Sequence, residues 1–117
     1  MDLSPQMKNQ LNQLEQIKQQ LQLIGAQMAQ LESQRREVEL ALEGLADLPD
    51  DAVVYKSAGS VLVKTDDPSK LRGELDDDKE TISVRLKTME KQESKLKERF
   101  TELQTQLQRA LEGQQNI

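Results

Sequence analysis

Apolar residues in the first part of the chain recur at Leu14, Ile17, Leu21, Ile24, Met28, Leu31, Val38, Leu42 and Leu45, spaced alternately three and four, with Arg35 filling one place in the series. Spacing that averages about 3.5 residues keeps one stripe turned toward a partner helix over several turns, which predicts a coiled-coil helix. That helix is expected over residues 1–46. The pattern returns at Leu75, Lys79, Ile82, Leu86, Met89, Glu93, Leu96, Phe100, Leu103, Leu107 and Ala110, predicting a second coiled-coil helix over 67–113 and a flexible tail at 114–117. The charged members Arg35, Lys79 and Glu93 can lay their methylenes along the seam while the charge reaches water, favouring one register at some cost in stability.

Between the helices, residues 47–66 change character: Val53-Val54-Tyr55-Lys56 and Val61-Leu62-Val63-Lys64 are β-favouring runs separated by Ser57-Ala58-Gly59-Ser60. This predicts a β-hairpin with strands at about 53–56 and 61–65, in which Gly59 supplies the positive φ of a tight connection and the register stays open. Asp66-Asp67-Pro68 is a helix start, with acidic residues beside the positive end of the dipole and a proline where no donor is needed. The expected fold class is mainly α: a long antiparallel two-helix coiled coil with one β-hairpin at the bend.

Alternation puts apolar side chains on both faces of that hairpin, with Val53 and Tyr55 on one side, Val54 on the other, and Leu62 opposed to Val61 and Val63. A two-stranded hairpin is marginal in water, and a coiled coil is too narrow a platform to cover it, so the strands are expected to pair with strands of other subunits. The competing expectation is a plain linker, the hairpin folded back onto its own helices.

Composition removes most chemistry. The 117 residues include no His, no Cys and no Trp, so imidazole bases, thiol nucleophiles and His or Cys metal sites are excluded, and no enzyme is expected. Asp76-Asp77-Asp78 does not converge on an ion, because consecutive helical residues point about 100° apart. Gly59-Ser60-Val61-Leu62-Val63-Lys64 lacks the phosphate-loop pattern, so no cofactor or nucleotide is expected. With 16 Lys and Arg against 21 Asp and Glu, the net charge of −5 argues against nucleic-acid binding. No apolar run is long enough to span a membrane. Met1-Asp2-Leu3-Ser4-Pro5 has no basic and apolar signal regions, and together with the missing cysteines this makes the cytoplasm the expected location. The many Gln of the first helix read as its neutral solvent face, and Gly25 within it costs about 1 kcal/mol relative to Ala.

The order helix, single hairpin, helix, with Val54-Tyr55-Lys56-Ser57-Ala58-Gly59-Ser60-Val61-Leu62-Val63 in the middle, resembles the β-class subunits of prefoldin, the hexameric holdase chaperone of archaea and eukaryotes, the archaeal type first. The α-class subunits of that family resemble a longer version with two hairpins, and one is visible here. The resemblance implies a hexamer of two α and four β chains, hairpins assembling into inter-subunit β-barrels, and capture of non-native client proteins at the coiled-coil ends. It also implies delivery to a group II chaperonin without nucleotide.

Carried over by position, Val53, Val54, Tyr55, Gly59, Val61, Leu62 and Val63 become subunit-assembly residues. Hairpin topology puts Leu3, Met7 and Leu11 near Leu107, Leu111 and Ile117, the client-binding end that the resemblance implies. Such a client offers apolar groups in no fixed arrangement, which suits flexible Leu and Met side chains acting weakly and several at a time. The alternative is a coiled-coil scaffold without chaperone activity, whose terminal leucines merely finish the seam.

Overall fold

The computed structural model describes residues 3–115. Helix α1 spans Pro5–Leu45, strand β1 Val54–Ala58, strand β2 Val61–Thr65 and helix α2 Pro68–Gln115. The two helices begin in the same way. Ser4 caps α1, its Oγ accepting from the Met7 N–H at 3.1 Å and its carbonyl from the Lys8 N–H at 3.0 Å, with Pro5 in the first helical place. Asp67 caps α2, its carboxylate accepting from the Lys70 N–H at 3.0 Å, and Pro68 follows, fully buried. Helix α2 continues through Gln115, two residues beyond the expected end.

The chain divides into two compact units, one of residues 1–29 with 87–117 and one of residues 30–86. In the first, Met7 and Gln10 line a notch with Gln106, Arg109 and Ala110, while Leu23 and Ile24 line a groove with Gln92 and Leu96. Rising numbers on α1 therefore meet falling numbers on α2, and the helices of this unit run antiparallel. In the second, Glu39 reaches Lys79 at 3.8 Å and the Leu48 carbonyl accepts from Arg72 Nη2 at 3.1 Å, again an antiparallel pair.

The spaced series of apolar positions is the buried face of both helices. Ile17, Leu45, Leu86, Leu103 and Leu107 are buried, and every other member from Leu14 to Ala110, the charged Arg35, Lys79 and Glu93 included, is half-buried. Arg35 pairs with Glu32 and lies 3.9 Å from Glu39, which also faces Lys79. One carboxylate thus links two seam cations on different helices. Glu93 pairs within its own helix, with Lys97 at 3.3 Å.

The hairpin register is Val54↔Thr65, Tyr55↔Lys64, Lys56↔Val63, Ser57↔Leu62 and Ala58↔Val61. The connection is therefore the two residues Gly59-Ser60, not the four-residue stretch read from the sequence, and β1 starts one residue later and runs two further. Gly59 has φ 63°, and among the described residues no non-glycine has a positive φ. Glycine at the first central place with an ordinary residue after it is the type II′ arrangement, whose twist matches that of the strands. A Cβ on Gly59 would meet nothing within 4 Å, so the demand for glycine is purely conformational. Gly59→Ala should therefore destabilise the hairpin by about 1–2 kcal/mol through backbone strain alone. A D-alanine at the same place, introduced by chemical synthesis, should restore it, as read from the hairpin's amide exchange rates.

Candidate functional site

Two surfaces hold the residues singled out in the sequence, one in each unit. The first is the hairpin. Pairing places Val54, Lys56, Ala58, Val61, Val63 and Thr65 on one face and Tyr55, Ser57, Leu62 and Lys64 on the other. Val54 and Thr65, at the base, are half-buried, and every other residue of both strands is exposed. Tyr55 is 58% exposed and Leu62 70%, with Val53, Val61 and Val63 also open to water. Side chains of this kind usually lie inside a protein, and a contiguous exposed patch of them marks an interaction surface. Both faces lack cover from the chain's own helices beyond the base.

Electrostatic ties hold that base. Lys56 Nζ lies 3.6 Å from Glu74 Oε2, linking β1 to the second turn of α2, and Arg72 holds the Leu48 carbonyl of the segment entering the hairpin. Each is worth at most about 1 kcal/mol at such exposed positions, so they orient the hairpin rather than bury it. Nothing in the sequence marks Lys56 and Glu74 as partners, because strand and helix bring them together only through the fold.

The second surface is the end of the helix pair in the other unit, where the expected client residues divide. Met7 is only 4% exposed and Leu107 8%, both inside the seam; Leu3 and Leu111 are half-buried; Leu11 is 40% exposed; Ile117 lies outside the described residues. The three-four count explains Leu11: stepping back from Leu14 by four, three and four gives Gln10, Met7 and Leu3. Gln10, not Leu11, takes the seam position. Gln10 is half-buried, and its Oε1 is buried with no hydrogen-bond partner among the protein's own groups. It borders a notch of about 430 Å³ lined by Ser4, Gln6, Met7, Gln106, Arg109 and the small Ala110. A polar residue thus occupies a seam position at this end, a feature visible in the sequence once the count is carried past Leu14.

Among the described residues no cluster of acidic side chains could hold a metal ion, and no helix is long and apolar enough to cross a membrane. A family model described as prefoldin subunit matches residues 8–114. The chain is 43% identical over 110 residues to prefoldin subunit beta of Methanosarcina acetivorans, covering 94% of this chain and 93% of that one. With prefoldin subunit beta of Archaeoglobus fulgidus it shares 44% over 113 residues, 97% of each. This chain belongs to the prefoldin subunit family.

The crystal structure of the prefoldin beta subunit from Thermococcus strain KS-1 matches the fold with a TM-score of 0.84 at 44% identity, covering 94% of this chain and 96% of that one. The likeness to β-class prefoldin subunits expected from the hairpin run and its flanking heptads therefore holds over nearly the whole chain. Prefoldin subunits serve as chaperone subunits.

Proposed function

We infer that the chain is the β subunit of an ATP-independent holdase, assembled with an α-class prefoldin subunit as two α and four β chains. The observation that carries this reading is the hairpin, exposed and apolar on both faces, between two helices that pair with each other. Burying such strands requires neighbours with open strand edges of their own. Val53, Val54, Tyr55, Val61, Leu62 and Val63 would supply the contacts of inter-subunit β-barrels, and Gly59 the turn that sets their register. Gathering several helix pairs in one particle then makes weak grips useful: each raises the effective concentration of the next on the same client.

Client contact is assigned to the helix ends, through Leu3, Met7, Leu11, Leu107, Leu111 and Ile117. Leu11 offers an apolar face directly, while Met7 and Leu107 contribute only where the seam end is parted. Partial cover of one such side chain is worth about 1–2 kcal/mol, enough for capture by several arms and weak enough for release to a group II chaperonin without nucleotide. The cytoplasm is the setting in which such a hand-off takes place. The test is purification with the α-class subunit and addition to a chemically denatured client without ATP. Delayed aggregation supports the reading; a stable assembly with no effect on aggregation favours a coiled-coil scaffold in its place.

A further inference from the structure

The two seam residues best suited to irregular apolar partners, Met7 and Leu107, are buried against the opposite helix. The same short stretch holds Gln10, where the spacing asks for an apolar residue and the buried Oε1 has no partner among the protein's own groups. Around it are a notch of about 430 Å³ and, from α2, the small Ala110. Ser4 meanwhile caps α1 through the Met7 N–H at 3.1 Å, so the first turn keeps its hydrogen bonds whether or not the helices touch.

We propose that Gln10 is a positioning residue that keeps the end of the helix pair separable, so that α1 and α2 part as intact helices and release Met7 and Leu107 to a client. This rests on the holdase reading and names the residue that regulates its grip. Parting lets water satisfy the Gln10 amide, and that gain offsets part of the apolar burial lost at Met7 and Leu107. A leucine at position 10 would remove the gain and add apolar surface to the seam, fastening the end shut. The capped start keeps α1 wound in the open form.

The chain's methionines give a direct readout, because Met7 lies at the end while Met28 and Met89 are half-buried in the seam elsewhere. With methyl-labelled methionine in this subunit, assembled with its α-class partner, a soluble paramagnetic agent should relax the Met7 methyl more than those of Met28 and Met89, despite its burial. Gln10→Leu should bring Met7 down to their level and weaken capture of a denatured client by about tenfold, the low end of what an unpaired buried amide costs. Gln10→Asn should keep both properties, and Lys79→Leu, which adds a seam leucine in the other unit, should leave capture unchanged. Capture by the Gln10→Leu assembly equal to or above that of the parent overturns the role of Gln10 while leaving the holdase reading in place. A parent assembly that captures no client overturns both. A Met7 methyl in the parent as protected as Met28 overturns the inference whatever the capture result.

Discussion

Replacing Tyr55 and Leu62 together by Asp is expected to abolish assembly while leaving the helices intact. The two side chains lie on one face of the hairpin, fixed there by the pairs Tyr55↔Lys64 and Ser57↔Leu62, and they are 58% and 70% exposed. Because neither is covered by its own chain, the substitutions alter the monomer's stability by no more than about 0.5 kcal/mol each, as exposed changes usually do. In an interface the same carboxylates must leave water without a partner, at several kcal/mol apiece. That should lower affinity for the α-class partner by about a thousandfold or more. Circular dichroism should show unchanged helix content, and sedimentation should show the double variant alone at concentrations where the parent assembles. Normal assembly by the double variant would place the interface elsewhere.

The second large effect belongs to the seam. Leu86→Ala is expected to destabilise the helix pair by about 2–4 kcal/mol, the range for truncating a buried leucine. Leu86 is buried in a core only two helices thick, so few other side chains can close the space that the truncation leaves. Leu23, exposed on the flank of its helix, provides the contrast: Leu23→Ala should cost less than about 0.5 kcal/mol. Urea denaturation of both variants, followed by helix signal, checks the difference. A Leu86→Ala loss as small as that of Leu23→Ala would mean that the seam is not what holds the helices together.

The seam was readable because it is a local, repetitive signal. Each apolar residue three or four places after the last constrains the same face, and even Arg35, Lys79 and Glu93 fall where the count puts them, half-buried. The start of α2 was readable for a similar reason, since Asp67-Pro68 carries its cap and its first residue side by side, whereas α1 begins at Pro5 and not at residue 1. The hairpin's existence followed from its β-branched runs, but its register did not. Ala58-Gly59 and Gly59-Ser60 are both chemically possible centres, and only the pairing of Ala58 with Val61 decides between them. The second pairing places glycine where a type II′ turn requires it.

The candidate sites were legible unevenly. That both hairpin faces are apolar follows from alternation alone, whereas the Lys56–Glu74 tie joins residues eighteen places apart that only the fold makes neighbours. At the helix ends, hydrophobicity was a poor guide to position. Leu11 was grouped with Met7 as a contact residue of that end because both are apolar, yet the phase of the repeat turns Leu11 outward, buries Met7 and puts Gln10 in the seam. A polar residue in an apolar register is easily read past.

Whether other subunits complete the hairpin is decided by the mass of the native particle in solution. Mixed with an α-class prefoldin subunit, the chain should form one species with the mass of two α and four β chains. A chain that stays monomeric beside that partner, its hairpin amides already protected from exchange, would contradict the account.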